Sequence, residues 1–357
     1  MMNFKLDKLP PKVDIETIMI LKQLSKSHKA LAELKGYSET MPNKNILINA
    51  ITINEAKDSS EVENIITTHD ELFKVMSISN YNNPSAKEVV NYRMALWHGY
   101  ELIKKNRFLS TNMIIEIQQI IENNRAGIRK LPGTVLKNET TGEVIYTPPY
   151  GEEELLSLMT NLETYINQDD ERTDLLVKLA IIHYQFESIH PFYDGNGRTG
   201  RILNVLYLVL SELLDSPILY LSKYIIKHKD EYYRLLQGVR TNENWEDWII
   251  YMLKAIEETA KNTLKIIKEI NVLIEQTSDD IKIALPKLYS KELVDLLFYE
   301  FYTKIIYIQN GLGISRRTAS EYLIALEKSG FLVSRKVGKE KIYTNSRLYR
   351  IVEKADL

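Results

Sequence analysis

The 357-residue sequence predicts a mainly α-helical protein with one small β-hairpin in its middle and a winged helix-turn-helix at its C-terminal end. Apolar residues recur at helical spacing along most of the chain, and two short stretches, 131–149 and 331–344, instead carry the turn residues and β-branched runs typical of hairpins. Hydrophobic residues make up 44% and charged residues 26% of the chain, which are ordinary values for a globular protein. The sequence contains no cysteine, which excludes disulfides and thiolate metal sites.

The N-terminal third predicts a succession of helices. Pro10-Pro11 forms a stiff lead-in, and each following segment places apolar residues three or four positions apart. The predicted helices are 15–34, 45–56, 60–76, 87–105 and 110–123, with breaks at Met41-Pro42-Asn43 and from Ser79 to Ser85.

The middle of the chain departs from this pattern between Leu131 and Pro149. Short strand-like runs at 134–136 and 144–146 flank turn residues at 138–142, so a hairpin is predicted that ends at Pro148-Pro149. Helices are then predicted at 152–166, 175–189, 198–213 and 244–283.

The C-terminal segment differs in charge and in order of elements. From Pro286 to Leu357 it has 13 Lys+Arg against 8 Asp+Glu, whereas the whole chain has a net charge of −2. Helices at 291–301, 303–309 and 315–329 and a hairpin around Val337-Gly338 follow the order of a winged helix. The sequence thus predicts three parts: a helical N-terminal region (1–108), a core (109–284) that contains the hairpin, and a winged helix (285–357).

The stretch from His190 to Arg201 reads HPFYDGNGRTGR and concentrates chemistry in twelve residues. Pro191 cannot continue the preceding helix, so His190 should lie where a core helix stops. Gly195 and Gly197 permit backbone conformations in which N–H groups converge on an anion, immediately before a new helix begins. The start of a helix adds unpaired N–H donors, which favour phosphate.

Charged residues of the same stretch point to a polyphosphate. Arg198 and Arg201 are three residues apart on one helix face, and two fixed cations beside the glycines suit several phosphates. Asp194 among these cations indicates a bridging Mg²⁺, because Mg²⁺ binds one carboxylate together with phosphate oxygens. His190, with an ordinary pKa near 6.5, can accept a proton. The residues support attack by a hydroxyl on a nucleotide phosphate.

This stretch resembles the signature of the Fic family, His-Pro-Phe-x-Asp/Glu-Gly-Asn-Gly/Lys-Arg-x-x-Arg, at all nine specified positions. The resemblance extends from about Leu9 to Leu253. It implies a helical Fic fold and transfer of AMP from ATP to a Ser, Thr or Tyr hydroxyl of a protein. The resemblance implies that His190 is the base, that Asp194 binds Mg²⁺ and that Phe192 is the buried anchor of the loop. It assigns the α- and β-phosphates to Asn196 and the backbone of Gly195 and Gly197, the β/γ end to Arg198 and the γ-phosphate to Arg201. Other ATP contacts are assigned to Thr199 and Gly200 in the loop, and the adenine pocket to Tyr233.

The hairpin at 131–149 is similar to the family's flap. An extended target segment could add to its edge as a further strand and bring a hydroxyl before His190. Backbone pairing of this kind does not depend on the side chains of the target, so the sequence does not identify the target protein.

Residues Ser59 to Asn64 resemble the family's inhibitory motif, Ser/Thr-x-x-x-Glu-Gly/Asn, on a helix that precedes the core. A Glu63 carboxylate paired with Arg201 would occupy the γ-phosphate position and exclude ATP from its productive pose. Ser60-x-x-Glu63 also predicts a capping box at a helix start, and the two interpretations are compatible.

Several residues have simpler explanations. His183, Trp245 and Trp248 are predicted to be core or supporting residues. Glu187 either orients the loop or caps its helix. Ser315, at the start of the third C-terminal helix, precedes two arginines, so the winged helix either reads DNA or packs on a partner.

The sequence therefore leaves three hypotheses. The first is a self-inhibited protein adenylyltransferase that uses ATP and Mg²⁺. It would modify a target protein and could also modify its own chain, and it is expected in the cytoplasm without a membrane partner. The second keeps the fold but changes the reaction to AMP removal, phosphoryl transfer or another nucleotidyl transfer. The third is a DNA-binding regulator whose core only senses nucleotide. A homodimer remains open in each case.

Overall fold

A computed structural model describes residues 5–13, 15–41, 44–77, 82–137, 142, 144–169, 172–337 and 340–354. The predicted break at Pro42-Asn43 and the start of the break at Ser79 lie outside these residues. So do most of the predicted flap turn at 138–142 and Gly338 of the predicted wing turn.

The described part of the chain is mainly helical, as predicted. The helices before the flap are α1 (Ile18–Ser38), α2 (Lys44–Val62), α3 (His69–Ser77), α4 (Pro84–Asn106) and α5 (Thr111–Glu122). The flap pairs strand β1 (Leu136–Lys137) with β2 (Val144–Tyr146) in antiparallel orientation, with Leu136 opposite Tyr146. The core continues with α6 (Glu152–Asn167), α7 (Leu175–Ile189), α8 (Asn196–Leu210), α9 (Ser222–Lys227), α10 (Lys229–Asn242) and α11 (Trp245–Ala284).

The C-terminal elements form a winged helix. They are α12 (Lys291–Tyr299), β3 (Tyr302–Thr303), α13 (Ile305–Leu312), α14 (Arg316–Lys328), β4 (Val333–Val337), β5 (Glu340–Thr344) and α15 (Ser346–Lys354). The three strands make an antiparallel sheet in the order β3-β5-β4, and β4-β5 is the wing hairpin. Ser315 caps α14, because its hydroxyl accepts the Thr318 N–H at 3.1 Å.

Two central helices, α7 and α8, carry the loop from His190 to Arg201 between them. Every residue of α7 from Leu176 onward is buried, which explains why its sequence is apolar on all sides. Helices α4, α5, α6 and α11 pack around this pair. At Gly99 of α4 a Cβ would lie 2.5 Å from the Leu206 side chain, so a larger residue there would force this buried leucine to move.

The predicted helix 60–76 is wrong, and its correction affects Glu63. Helix α2 continues through Ser60 to Val62, and α3 begins only at His69. Asn64 adopts a left-handed conformation with φ of 61°, which ends a helix and which asparagine tolerates better than most residues. Ser60 therefore lies in the last turn of α2 and is not a helix-start cap. The cap of α3 is Thr68, whose hydroxyl accepts the Glu71 N–H at 3.2 Å.

Other elements differ from the prediction in smaller ways. The first flap strand is only Leu136–Lys137, and Tyr302–Thr303 form a strand, so α13 starts at Ile305. Helices α9, α10 and α15 were not predicted. Along α10 the buried residues Tyr232, Leu235, Leu236 and Val239 do follow helical spacing, so the sequence contains a signal for this helix that the prediction missed.

The winged helix packs against α2 and α4 through buried polar contacts. The Asn49 side chain donates to the Tyr299 carbonyl at 2.9 Å, and Arg93 reaches both Asn49 Oδ1 and the Glu300 carboxylate at 2.8 Å. None of the helices in the described ranges combines the length and the apolar character that a membrane span requires.

Candidate functional site

The loop begins where α7 ends at His190. His190 is left-handed, with φ of 49°, and its N–H donates to the Phe186 carbonyl at 3.0 Å. Arg129 holds this turn from the other side. Its Nε donates to the His190 carbonyl at 2.8 Å, and its backbone N–H donates to the Pro191 carbonyl at 2.9 Å. The Arg129 side chain also donates to the Pro149 carbonyl, which joins the loop to the end of the flap.

The interior of the loop is closed by Phe192 and Asn196. Phe192 is fully buried, as predicted for the anchor. The Asn196 side chain accepts the Phe192 N–H at 2.8 Å and donates to the Phe192 carbonyl at 2.9 Å. Both ends of this amide are therefore used to shape the loop, so the predicted phosphate contact of Asn196 would be made by its backbone N–H.

Gly195 and Gly197 are glycines for two different reasons. Gly195, the residue that precedes α8, has a φ of 75°, and a Cβ there would lie 2.6 Å from a Glu122 carboxylate oxygen. At Gly197 a Cβ would lie 2.4 Å from Glu63 Oε1 and 2.9 Å from Arg201. The N-terminus of α8 thus has backbone N–H groups that no N-cap side chain bonds, as an anion-binding helix start requires.

His190 is held in an environment that keeps it neutral. Burial lowers the pKa of its imidazole to about 4, and the cations Arg129 and Arg240 act in the same direction. Within the described residues its Nδ1 atom is buried and makes no hydrogen bond. At neutral pH this side chain can accept a proton.

His183 has a different role from His190. Its ring bonds the Tyr232 hydroxyl at 2.9 Å and the Asn204 amide at 3.1 Å, and it stacks on Trp248. Trp248 is fully buried, and Trp245 packs partly buried against the core. These residues belong to the core, as predicted.

Arg198 lies among four carboxylates. Its Nε donates to Glu63 Oε2 at 3.0 Å, and its Nη1 donates to Glu88 at 2.6 Å. Its Nη2 lies 2.8 Å from Glu122 and 3.4 Å from Asp194. Glu88 and Glu122 were not predicted, because they come from α4 and α5 and no spacing in the sequence links them to Arg198.

Arg201 is bound by the end of α2. Its Nε donates to the Ser59 hydroxyl at 2.7 Å, and its Nη2 donates to the Ser59 carbonyl at 2.8 Å and to Glu63 Oε1 at 2.6 Å. Ser59, Glu63 and Arg201, singled out in the sequence, are thus brought together. Asn64, the last residue of the motif, turns the chain and contacts Lys229 at 3.3 Å.

The Glu63 carboxylate bridges both arginines, one oxygen to each. Burial alone would raise the pKa of Glu63, but Arg201 and Arg198 outweigh it and hold the pKa below its usual range. Glu63 is therefore ionised at neutral pH.

Thr199 and Gly200 lie on the inner side of α8, where Gly200 faces Glu187 of α7. Thr199 is fully buried, and at Gly200 a Cβ would lie 2.4 Å from Glu187 Oε1. That oxygen has no hydrogen-bond partner among the described residues, and burial raises the pKa of Glu187 to about 7. The ATP contacts of Thr199 and Gly200 stay predictions.

Asp194 is the single acidic residue in the sequence of the loop, and its side chain is largely exposed. Its Oδ1 accepts the Gly195 N–H at 2.7 Å, and 73% of its side chain is exposed. No group of three or more Asp, Glu or His side chains in the described part of the chain is arranged to hold a metal. An exposed carboxylate beside the predicted phosphate site fits the ligand preference of Mg²⁺, which would take its remaining ligands from phosphate oxygens and water.

The flap is fastened to the core by residues that the sequence did not reveal. The Tyr146 hydroxyl donates to the Ser188 carbonyl at 2.8 Å, and the Arg240 guanidinium lies 3.8 Å from the Tyr146 ring centre. The Tyr193 hydroxyl accepts the Lys130 N–H at 3.0 Å. Tyr233, predicted to line the adenine pocket, lies on α10 with 46% of its surface exposed.

Three family models match consecutive parts of the chain. The Fic/DOC family N-terminal model matches residues 21–101, and the Fic/DOC family model matches residues 108–208. The C-terminal domain model of the SoFic-like protein adenylyltransferases matches residues 273–348. The matched ranges together span more than two thirds of the chain.

Curated relatives match shorter parts. A probable protein adenylyltransferase of Aquifex aeolicus is 30% identical over 180 residues, which cover 49% of this chain and 53% of the relative. The protein adenylyltransferase Fic of Aedes aegypti is 30% identical over 137 residues, which cover 38% of this chain and 26% of the relative. The chain thus spans about half or less of the length of these relatives.

Solved structures share the fold over longer ranges. A Fic family protein from Desulfovibrio desulfuricans superimposes with a TM-score of 0.58 at 18% identity, covering 94% of this chain and 98% of that one. A fragment of Fic-1 from C. elegans gives 0.54 at 19% identity, covering 70% and 74%. With its complete signature loop, its three matched models and this fold, the chain belongs to the Fic/DOC family.

Proposed function

We propose that this chain transfers AMP from ATP to a hydroxyl group of a protein, its own chain included. The observation that carries the proposal is the neutral His190 beside a bare helix N-terminus that has two arginines on its first turns. The matched relatives named protein adenylyltransferases support the same reaction.

The residues suggest a displacement at the α-phosphorus of ATP, with pyrophosphate as the leaving group. The oxygen of the target hydroxyl attacks the α-phosphorus and forms the new P–O bond, while His190 takes the hydroxyl proton. The bond from the α-phosphorus to the oxygen that bridges to the β-phosphate breaks, and pyrophosphate leaves. The backbone at Gly195 and Gly197, with Arg198 and Arg201, would hold the phosphates in line and offset the charge that develops on them.

Mg²⁺ would be held by Asp194 and by phosphate oxygens. When bound, it would neutralise phosphate charge. Asp194 stays available for this role because its side chain is largely exposed and its Oδ1 is fixed by the Gly195 N–H.

We further propose that Glu63 inhibits the enzyme. Its carboxylate lies 2.6 Å from Arg201 and 3.0 Å from Arg198, the two cations assigned to the terminal phosphates. A phosphate that bound these arginines would have to displace an ionised carboxylate from both. The protein target would pair with the edge of the flap, whose position depends on Tyr146 and Arg129.

Labelling with ATP tests the proposal. Glu63→Gly protein is incubated with Mg²⁺ and either α- or γ-labelled ATP, and protein-bound label is measured, with Glu63→Gly/His190→Ala as control. AMP transfer predicts label from the α-position only, and none in the double variant. Label from the γ-position would instead indicate phosphoryl transfer, and label that persists without His190 would exclude its role as base.

DNA binding is a second candidate function for the winged helix. Arg316 and Arg317 are exposed on the first turn of α14, where a recognition helix would meet a groove, and 90% of the Arg317 side chain is exposed. A fluorescence-anisotropy titration with duplex DNA at two salt concentrations tests this, because phosphate contacts make affinity fall with salt. Unchanged affinity in an Arg316→Ala/Arg317→Ala variant would favour partner packing.

A further inference from the structure

The guanidinium of Arg198 is held on three sides, and its partners are unequal. Glu88 accepts a hydrogen bond from Nη1 at 2.6 Å. Glu122 lies 2.8 Å from Nη2 as an ion pair without hydrogen-bond alignment, while Nη2 donates a long hydrogen bond to Asp194 Oδ1 at 3.4 Å. Glu63 takes only Nε, at 3.0 Å. The Arg198 side chain is 2% exposed, so these contacts fix its orientation.

Glu88 and Glu122 approach from elements that carry no part of the signature loop. Glu88 lies in the second turn of α4 with one third of its side chain exposed, and Glu122 is the last residue of α5 with 12% exposed. Glu122 also packs under the loop, where a Cβ on Gly195 would lie 2.6 Å from its carboxylate oxygen. Both carboxylates would therefore stay in place if Glu63 moved.

Arg201 offers the contrast within the same helix. Among the described residues, the hydrogen-bond partners of its guanidinium come from the end of α2 and the residue that follows it: the Ser59 hydroxyl, the Ser59 carbonyl and Glu63. Movement of that helix end would change every one of these contacts. For Arg198, the same movement would remove only the partner of Nε.

We infer that Glu88 and Glu122 are positioning residues that hold Arg198 by its two terminal nitrogens, so that its Nε–H edge faces the β-phosphate of a nucleoside di- or triphosphate once Glu63 has left. This role rests on the proposed function. Glu88 and Glu122 would keep Arg198 oriented while Arg201 is released from Glu63.

The carboxylates of Glu88 and Glu122 also have an opposite electrostatic effect on phosphate binding, and the variants must separate the two effects. Two carboxylates near a phosphate site repel the phosphate, so their removal could strengthen binding. Orientation depends on a hydrogen-bond acceptor, whereas repulsion depends on charge. Glu88→Gln keeps an acceptor and removes the charge, whereas Glu88→Ala removes both.

The experiment measures the affinities of the full-length Glu63→Gly protein for ATP, ADP and AMP by calorimetry. Glu88→Ala should weaken ATP and ADP binding about tenfold, because a charge-assisted hydrogen bond that orients Arg198 is lost. AMP binding should not change, because AMP has no β-phosphate. Glu88→Gln should stay within about threefold of the parent, because its amide oxygen still accepts from Nη1.

A second variant and a control complete the design. Glu122→Ala should weaken ATP and ADP selectively in the same way, and it tests the ion pair separately from the hydrogen bond. Glu116→Ala is the matched control on α5, since Glu116 forms its ion pair with the partly exposed His98, and it should leave all three affinities unchanged.

Each contrary outcome has a distinct meaning. Tighter ATP binding in the alanine variants would overturn the inference, because repulsion would then dominate. Equal weakening of AMP, ADP and ATP in variants that melt like the parent would overturn it as well, since the role would be structural. If the Glu63→Gly parent bound no nucleotide, the proposed function itself would fail and the inference with it.

Discussion

The signature loop (residues 190–201) and the Glu63 segment (residues 59–64) meet at the same two arginines but are held in different ways. The loop is fixed by hydrogen bonds between buried side chains and its own backbone, such as those of Asn196 with Phe192 and of Arg129 with His190. The Glu63 segment contacts the loop through two arginine side chains, which bind the Ser59 hydroxyl, the Ser59 carbonyl and the Glu63 carboxylate. The loop is therefore preformed, whereas the Glu63 segment is held by contacts that phosphate oxygens could replace.

This difference predicts that substitutions in the signature loop and in the Glu63 segment affect different properties of the protein. Changes within the loop should impair chemistry or folding, because its bonds shape the backbone. Changes at Glu63 should alter nucleotide affinity while the fold persists, because α2 is anchored elsewhere. One such anchor is the buried Glu55, which accepts from Tyr92 at 2.9 Å and from the Ser222 N–H at 3.1 Å.

The largest effect is expected from His190→Ala. In the Glu63→Gly background it should lower the rate of AMP transfer by about 10²- to 10⁴-fold, which is the usual contribution of a general base. ATP affinity should not change, because the phosphates are assigned to other residues. Quenched-flow labelling and calorimetry measure the two quantities. A loss of ATP binding equal to the loss of rate would contradict the separation.

The next effect concerns Glu63. Glu63→Gly should raise ATP affinity by about 10- to 100-fold, since a competing ionised carboxylate is removed from Arg198 and Arg201. Calorimetry with ATP measures it. Glu61→Ala, a change at a partly exposed carboxylate two residues away in the Glu63 segment, is the control and should leave affinity unchanged. Unchanged affinity in the Glu63 variant would show that the carboxylate does not compete with phosphate.

A pH effect should appear in the anchor of the Glu63 segment. Burial raises the pKa of Glu55 to about 7, so the folded protein binds a proton that the unfolded chain releases near the ordinary pKa of 4.5. The contribution of protonated Glu55 to the free energy of unfolding is fully present below pH 4.5 and is lost as the pH rises through about 7. Between pH 5 and 8 this loss should be on the order of 2–3 kcal/mol.

Urea unfolding of the wild type and of Glu55→Gln at these two pH values measures the loss. The glutamine variant should lose less free energy of unfolding over the range, because position 55 no longer titrates. Parallel losses in the two proteins would show that Glu55 does not titrate as described.

Asn196→Ala should act on the loop itself. It leaves the Phe192 N–H and carbonyl without partners, so the free energy of unfolding should fall by about 2 kcal/mol. Transfer activity should fall as well, since the loop loses its internal support. Urea unfolding and a labelling assay test both. Normal stability with full activity would mean that the loop does not need this bond.

The smallest effect is expected from Lys229→Ala. Lys229 contacts Asn64 at 3.3 Å on the surface, and such contacts change stability by less than about 0.5 kcal/mol. ATP affinity should stay within twofold of the wild type, as measured by calorimetry. A larger change would indicate that the turn at Asn64 holds Glu63 more firmly than its arginine contacts do.

The sequence reveals the loop well because its chemistry is contiguous. Twelve residues carry the histidine, the glycines and the arginines, and the end of α7 is marked by Pro191. The contact between Glu63 and Arg201 is also predicted, although the predicted helix 60–76 around Glu63 is wrong. A serine three residues before a glutamate reads as a cap in any context, and only the left-handed Asn64 shows that the helix ends there.

Partners supplied from distant elements could not be predicted. Arg129, Arg240, Glu88 and Glu122 lie in segments without a motif, and their roles depend on packing that brings α4, α5, α10 and the flap to one place. A buried arginine has the same sequence signature as an exposed one. Asn196 shows the converse, since its place in the signature suggested phosphate while its amide supports the loop.

The single carboxylate that bridges two arginines has a thermodynamic consequence. Because both oxygens belong to one group, the contacts of Glu63 with Arg198 and Arg201 form and break together, and their free energies should not add. In a double-mutant cycle, loss of one arginine should weaken the remaining contact, because the carboxylate would gain rotational freedom. The coupling energy from that cycle would measure how far the two arginines respond to Glu63 as one unit.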